Sequence, residues 1–288
     1  MNEPATVAAP PVWSRVLEPR KGWFDLRLRD LWRYRDLVAL FVHRDFVAQY
    51  KQTVLGPLWL VLQPLFTTLV FTVVFQKIAK IPTDGIPSVL FYMCGITAWN
   101  YFADCLTKTA NTFSANNQIF EKVWFPRLAV PLSIVITNLA TFAIQFTLFL
   151  AFCAFFFLKG APVHPNWRII VLPLLLVQMA ALGLGTGCLV SALTTRYRDL
   201  TMLVTFGVQL WMYGSCVAYP LSEVTPEYRW LLALNPMVPI IESFRFAFLG
   251  AGIIERWQLA LGVVESAVIL FAGLVMFCRV EKKFTDTI

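Results

Sequence analysis

Long charge-free runs alternate with short polar segments along most of the chain. Residues 52–76, 85–103, 128–158, 169–195 and 200–222 contain no Asp, Glu, Lys or Arg. Each run reaches or exceeds the roughly 18–20 residues that a helix needs to cross a bilayer. A last apolar segment, 257–278, carries one acidic residue, Glu265, near its middle. The pattern predicts an all-α polytopic membrane protein with six transmembrane helices in residues 55–279, at about 55–76, 88–105, 128–158, 169–195, 200–218 and 257–278.

An amphipathic pattern precedes the first predicted span. Within residues 26–54, Leu31, Leu37 and Phe41 belong to a set of apolar residues that recurs at three- and four-residue steps. Charged residues mostly fill the other face, so we expect an N-terminal amphipathic helix in the membrane interface. Residues 1–25 have no periodic pattern and are rich in Pro and Ala, which predicts a mobile tail. Residues 280–288 are expected to form a short cytoplasmic tail.

The stretch between the fifth and the last span is broken. Residues 219–256 hold two apolar pieces, each too short to cross, which Pro236, Pro239 and Gly250 interrupt. Broken helices occur at membrane depth where they are buried in protein or line a water-filled cavity. We therefore expect a re-entrant helical hairpin before the last span. Glu242 and Arg245 are spaced to face each other on it, either as a gate or cavity element or as an internal salt bridge.

Composition agrees with a membrane protein and excludes an ordinary soluble one. Apolar residues make up 58% of the chain and charged residues only 14%, and the mean hydropathy is +0.66. Of the 24 Lys and Arg residues, 17 fall on the side of both termini in the six-span topology. The positive-inside rule then predicts that both termini are cytoplasmic. Because this topology accounts for the net charge of +7, we expect no nucleic-acid partner.

The sequence lacks a recognisable catalytic or metal-binding constellation. It contains no GxSxG, HExxH or GxxxxGK[ST] motif, and the topology assigns His43 and His164 to opposite sides of the membrane. The six cysteines all lie in apolar stretches without ligand spacing. Gly183 and Gly187 form a small-xxx-small pair that favours close helix packing. Glu265 has two interpretations. It either provides a polar lining or pairs with a basic residue, or it makes a contact between helices in a protonated or hydrogen-bonded form.

Three sequence blocks resemble one transporter family. They are Arg44-Asp45-Phe46 with residues 50–59 and Gln63-Pro64; Arg196-Tyr197-Arg198-Asp199-Leu200; and Tyr219-Pro220 with Leu234-Asn235-Pro236-Met237 and residues 242–245. Their order and spacing are similar to those of permease subunits of type 2 ATP-binding-cassette polysaccharide exporters, which export O-antigen, capsule or teichoic acid. The resemblance covers about residues 33–283. One departure is Ala48-Gln49, where relatives often have a basic residue.

The resemblance implies how such a chain works. The permease would be a homodimer in the bacterial inner membrane that binds two copies of a separate ATPase subunit and exports a lipid-linked, O-antigen-like glycan through a channel at the dimer interface. ATP and Mg would be bound by the ATPase, and no cofactor by this chain, which would be a transport permease and not an enzyme. Membrane lipid would be its other contact. The amphipathic helix, with Arg44, Asp45, Tyr50 and Lys51, would lie near the ATPase.

A short helix at about residues 116–125 would couple the permease to the ATPase. Its composition suits docking in a groove of a partner protein, and the alternative is an interfacial helix that rests on lipid headgroups. The candidate coupling residues are Asn117, Ile119, Phe120, Glu121, Lys122 and Trp124. The hairpin, with Asn235, Pro236, Glu242 and Arg245, would gate the outer end of the channel.

Aromatic side chains can stack on sugar rings, although belt anchoring and core packing account for most of the 25 Phe, 10 Trp and 8 Tyr residues. The candidate channel-lining residues are Trp59, Phe66, Trp99, Tyr101, Trp211, Tyr213 and Tyr219.

A drug or small-lipid exporter of the same architecture is the main alternative function. A transporter that works without ATP and a membrane glycosyltransferase or acyltransferase are further alternatives, but the sequence shows only Glu265 as an ionisable residue deep in a predicted span and no clustered catalytic acids.

Overall fold

The computed structural model of the protein describes residues 28–51, 54–123, 125–194, 197 and 199–286. Over these ranges the chain forms helices and no strand, which confirms the all-α prediction. The tail predicted at residues 1–25 lies outside the described residues, as do Arg196 and Arg198 of the second sequence block.

Twelve α-helices make up the described part of the chain. They are α1 (Leu28–Arg33), α2 (Arg35–Tyr50), α3 (Trp59–Phe71), α4 (Ser88–Ala110), α5 (Thr112–Ala115), α6 (Asn117–Lys122), α7 (Ala129–Leu158), α8 (Leu172–Thr194), α9 (Leu200–Tyr213), α10 (Pro226–Ala233), α11 (Met237–Leu249) and α12 (Arg256–Asp286). Short 3-10 turns precede α3, α8 and α10 at Gly56–Leu58, Trp167–Val171 and Leu221–Glu223, and α3 continues as a π-helix over Thr72–Ile78.

Several of these helices are suited to a bilayer. Within the described ranges, four stretches are long and apolar enough to cross one: Gly56–Ile78, Ala129–Leu158, Trp167–Thr194 and Arg256–Val280. The bent pair α10 and α11 would make five if counted as one span. α4 has 23 residues but is less apolar, and α9 has only 14 residues. The protein is a multi-pass membrane protein, and the count of six spans stays a prediction.

The bundle has two distinct ends, which are the two ends of α7. This helix has 30 residues and is therefore about 45 Å long. α1, α2, α5 and α6 gather where α7 begins, and we call this the α6 end. α10 and α11 lie where α7 finishes, and we call this the hairpin end. α3, α4, α7, α8, α9 and α12 run between the two ends.

α8 is packed between α4 and α12, and glycines allow the close approach to α4. A Cβ atom added at Gly183 would lie 2.7 Å from Cβ of Cys105, and one added at Gly187 would lie 2.6 Å from Cβ of Thr109. Both distances are far below van der Waals contact, so a side chain at either position would push α8 and α4 apart. The prediction that this small-xxx-small pair serves helix packing is confirmed.

The opposite face of α8 approaches α12 equally closely. A Cβ atom at Gly185 would lie 2.6 Å from Cα of Leu270, and Gly273 of α12 sits directly against the backbone of Gly185. Backbone therefore meets backbone on this side. We call α4, α8 and α12 together the glycine-packed layer.

Some helix boundaries differ from the predictions. The helix predicted at 26–54 is two helices, α1 and α2, which meet at Tyr34. The coupling helix predicted at about 116–125 is the six-residue α6. α4 continues past Cys105 to Ala110, because Asp104 and Lys108 pair along one helix face and do not end the helix. α12 continues to Asp286, so the segment expected as a tail begins as helix, since Lys and Glu are good helix formers.

Candidate functional site

The predicted hairpin is a bent pair of helices. α10 and α11 are inclined at 106° to each other, and Pro236 stands directly before α11, where a missing N–H group costs little. α11 ends at Gly250, whose φ of +78° is the left-handed conformation that glycine adopts without strain. A Cβ atom there would also lie 2.9 Å from Cβ of His164, so the loop before α8 packs tightly on the hairpin.

A buried ion pair lies inside the hairpin. Arg245 Nη1 donates to Glu242 Oε1 at 2.9 Å, and both side chains are almost completely buried. Arg245 Nη2 donates to the carbonyl oxygen of Val217 at 3.0 Å, and its guanidinium lies 3.7 Å from the ring centroid of Phe91. The other carboxylate oxygen of Glu242 accepts from the backbone N–H of Ile253 at 3.1 Å. The predicted pairing is confirmed, and it joins α11 to α4, to the segment after α9 and to the loop before α12.

Asn235 makes a second junction at this end. Its Oδ1 accepts from Nε1 of Trp211 at 2.9 Å and from the backbone N–H of Met237 at 3.1 Å. Its Nδ2 donates to the carbonyl oxygen of Gly214 at 2.8 Å and to Oγ of Ser215 at 2.9 Å. One amide side chain thus connects the bend of the hairpin to the end of α9.

Polar side chains line the contact between α4 and α7. Lys108 Nζ donates to Asn138 Oδ1 at 2.7 Å and lies 3.8 Å from a carboxylate oxygen of Asp104. Toward the hairpin end, Asn100 Nδ2 donates to Gln145 Oε1 at 3.3 Å. These groups were not among the predicted site residues, because their four-residue spacing crosses the predicted end of the second span at Cys105. The four-residue spacing of Asn100, Asp104 and Lys108 was the available signal.

The seven aromatic candidates for channel lining fall into two groups. Trp99 and Tyr101 are each only 4% exposed, and their rings pack on Phe102 and Phe142. These two rings therefore have almost no surface to offer a channel. The remaining candidates all keep exposed or half-exposed surface: Trp59 and Phe66 on α3, Trp211 and Tyr213 on α9, and Tyr219.

The α6 end is held together by phenylalanine rings. Phe41 of α2 lies 5.5 Å from Phe125, which lies 5.7 Å from Phe120 of α6. Phe120 is 5.9 Å from Phe113, which stacks on Phe277 of α12 at 4.6 Å. We call these five rings the phenylalanine cluster. It joins α2, α6 and α12 into one packed unit.

The candidate coupling residues occupy different environments. Phe120 is buried in the phenylalanine cluster, so its ring packs within the chain and is not presented to a partner. Ile119 is half-buried, and Lys122 and the neighbouring Val123 are exposed. Trp124 and the side chains of Asn117 and Glu121 lie outside the described residues.

The candidate residues of the amphipathic helix lie on or just after α2. Arg44 and Asp45 form an ion pair at 2.7 Å, and the Arg44 guanidinium lies 4.7 Å from the ring centroid of Phe41. Lys51 is exposed, and the side chain of Tyr50 lies outside the described residues. Val38 and Phe41 are the buried residues by which α2 joins the core.

The remaining ionisable residues form no catalytic or metal site in the described structure. His43 lies on α2 beside the start of α7, whereas His164 lies beside Gly250 at the hairpin end. No group of three His, Cys, Asp or Glu residues among those described is placed to hold a metal ion. Oε2 of Glu265 is enclosed and accepts no hydrogen bond from the described residues.

Comparisons with known proteins agree with the sequence resemblance. The family model for ABC-2 type transporters matches residues 36–249. The chain is 28% identical over 264 residues to the O-antigen export system permease protein RfbA of Myxococcus xanthus, covering 91% of this chain and 98% of that protein. A Klebsiella pneumoniae protein of the same name is 25% identical over 87% of this chain and 94% of its own length. The polysialic acid transport protein KpsM of Escherichia coli is 22% identical, over 83% of this chain and 91% of that protein.

The family match extends from α2 to the end of α11. It therefore includes α2, five of the six helices that run between the two ends, and the hairpin. The chain belongs to the ABC-2 type transporter family of membrane proteins.

Proposed function

We propose that this chain is the transmembrane subunit of an ATP-driven exporter that moves a lipid-linked, O-antigen-like polysaccharide across the bacterial inner membrane. The observation that carries the proposal is the similarity over nearly the full length of both chains to a protein named an O-antigen export permease. A polysialic acid transport protein is also similar over most of its length. Both names refer to the movement of polysaccharide, which favours a glycan over a drug or a small lipid.

Two copies of the chain form the channel between them. This part of the proposal is supported by α9, none of whose residues is buried, although most of them are apolar. α3 also exposes apolar and aromatic residues, including Trp59 and Phe66. Exposed apolar faces of two helices are typical of surfaces that contact another chain or lipid. The exposed aromatic rings on these helices are suited to stack on sugar rings along the path.

Two copies of a separate ATPase subunit drive the export. They bind ATP and Mg, and this chain binds no cofactor and catalyses no reaction. The α6 end is the docking side, because α6 and α2 are packed together there through the phenylalanine cluster. A push on α6 is then transmitted to α2 and α12, which are in contact with the same rings. Both termini are cytoplasmic, in agreement with the excess of Lys and Arg on that side.

The test combines purification with genetics. A tagged copy, purified from its native membrane, is expected to bring down an ATPase in equal amount, and deletion of the gene is expected to abolish surface polysaccharide while the lipid-linked precursor accumulates inside the cell. Surface polysaccharide that persists after deletion, or a protein that remains intact but reproducibly lacks an ATPase, would contradict the proposal.

A substitution at the α6 end tests the docking side. Val123 is 58% exposed and follows α6, so Val123→Asp places a charge on the proposed ATPase contact without entering the core. We expect at least a tenfold loss of polysaccharide export with an unchanged amount of folded protein. The matched control is Leu158→Asp at the far end of α7, where Leu158 is 85% exposed. Equal export by the two variants would contradict the assignment of the docking side.

A further inference from the structure

One face of α4 carries a strip of polar side chains that are only partly buried. Asn100, Asp104 and Lys108 recur every four residues and therefore share one face of α4. The side chains of Asp104 and Lys108 are 39% and 38% exposed, and Asn100 is also only partly buried. We call these three residues the α4 ladder.

The ladder lies in the half of the bundle nearest the α6 end. α4 begins at Ser88 at the hairpin end and rises about 1.5 Å per residue, so Asn100, about 18 Å from Ser88, lies near the middle of the helix. Lys108 lies about two turns closer to the α6 end. Asp104 and Lys108 thus lie in the last two turns of α4, and partly exposed charged groups on a membrane helix normally face protein, a water-filled cavity or the headgroup region.

Neighbouring helices provide further polar groups beside the ladder. On α7, Asn138 and Gln145 are buried and bind Lys108 and Asn100, so the ladder is held from one side. On the other side, Thr107 of α4 shares a small crevice with Thr201 and Thr205 of α9. Thr107 is next to Lys108 in the chain, so these hydroxyl groups lie near the end of the strip.

We infer that the α4 ladder lines the half of the translocation path nearest the α6 end and provides hydrogen-bonding groups to the hydroxyls of the passing glycan. This inference rests on the function proposed above and names a polar surface for it. α3 and α9, which expose four of the aromatic candidates, both pack on α4. Aromatic rings can stack on the apolar faces of sugar rings, and the ladder can form hydrogen bonds with the hydroxyl groups at their edges.

The charges of the ladder favour a polyhydroxyl chain over a simple anion. Lys108 is neutralised by Asp104, and it also donates to Asn138. Asn100 both donates and accepts, Asp104 accepts and Lys108 donates, which matches hydroxyl groups that do both. A site for an isolated phosphate group would instead require uncompensated positive charge. A sugar hydroxyl that leaves one ladder residue can form a hydrogen bond with the next one, as the movement of a glycan along the path requires.

The first experiment measures whether water reaches the ladder. Single variants Asn100→Cys and Asp104→Cys are treated, in membrane vesicles that contain the assembled transporter, with the charged reagent 2-sulfonatoethyl methanethiosulfonate. The matched control is Leu139→Cys, which is exposed on another face of α7 one residue from Asn138. All six native cysteines are buried, and the unmodified protein gives their background. We expect both ladder variants to react at least tenfold faster than the control.

Equal labelling of ladder and control would overturn the inference, because the ladder would then be covered by lipid or by a second copy of the chain. A second arm tests the glycan: vesicles from cells that make the polysaccharide are compared with vesicles from cells blocked in its synthesis. We expect labelling at residue 100 to be at least threefold slower when the glycan is present. Fast labelling that the glycan does not slow would also overturn the inference.

Failure of the proposed function is distinguishable from failure of this inference. If the chain does not export polysaccharide, the unmodified protein fails to restore surface glycan in the deletion strain, whatever the labelling shows. If it restores surface glycan, Asn100→Leu tests the ladder directly. We expect at least a tenfold loss of export with an unchanged amount of protein, whereas full export by this variant would contradict a role for the ladder.

Discussion

The two ends of the bundle are held together by different kinds of contact. At the hairpin end, Glu242, Arg245 and Asn235 make directional hydrogen bonds to α9, to the segment after it and to the loop before α12. At the α6 end, five phenylalanine rings pack at centroid distances of 4.6–5.9 Å, and apolar packing has no fixed hydrogen-bond partners. The difference indicates that the hairpin end depends on specific hydrogen-bond partners, whereas the α6 end depends on ring packing, which tolerates other apolar side chains of similar volume.

The largest expected effect is at the buried ion pair. Arg245→Ala leaves the carboxylate of Glu242 buried without its partner, and breaking such a pair typically costs about 3–5 kcal/mol of folding free energy. The midpoint of thermal unfolding in detergent measures this loss. The control is the double variant Glu242→Gln with Arg245→Met, which removes both charges and is expected to lose less than the single variant. A double variant that is less stable than the single one would show that the pair is not the main junction.

An intermediate effect is expected at Asn235. Asn235→Ala removes four hydrogen bonds and leaves the indole N–H of Trp211 unpaired, which should lower the free energy of unfolding by about 2 kcal/mol. The same unfolding measurement applies, with Leu234→Ala as the control. Leu234 is exposed and adjacent, so its change is expected to stay within about 0.5 kcal/mol. Equal stability of the two variants would contradict the assigned role of the amide.

The smallest effect is expected in the phenylalanine cluster. Phe120→Leu keeps an apolar side chain of similar volume, and the neighbouring rings can repack, so the cost should be below about 1.5 kcal/mol. Thermal unfolding of this variant should therefore stay close to that of the unmodified protein. A loss as large as that of Arg245→Ala would mean that the α6 end is as fixed as the hairpin end, and the comparison between them would fail.

The overall class of the protein was readable from its sequence. Charge-free runs predicted most of the helices that run between the two ends of the bundle. The prolines in residues 219–256 predicted the bent hairpin. The Glu242–Arg245 pair was also predictable, because two residues three apart on a helix lie on the same face. Close packing at Gly183 and Gly187 followed from their spacing alone.

Tertiary contacts account for what the sequence did not show. Trp99 and Trp59 are the same residue type, and only the packing of α4 in the centre of the bundle buries Trp99. Phe120 packs on Phe113 and Phe125, and these two rings pack on Phe277 and Phe41, which are far away in the chain. The α4 ladder was not predicted, because the spacing of Asn100, Asp104 and Lys108 crosses the predicted end of the second span at Cys105, whereas the helix continues to Ala110.

The glycine-packed layer also restricts how the protein changes shape. Gly183 and Gly187 leave no room for a methyl group against α4, and Gly185 and Gly273 bring α8 and α12 together backbone to backbone. We therefore expect α4, α8 and α12 to stay in the same register when the protein changes shape. Alternation between open and closed forms is then expected as a hinge motion, in which α4, α8 and α12 turn as one rigid body and the less buried helices α3 and α9 move around it.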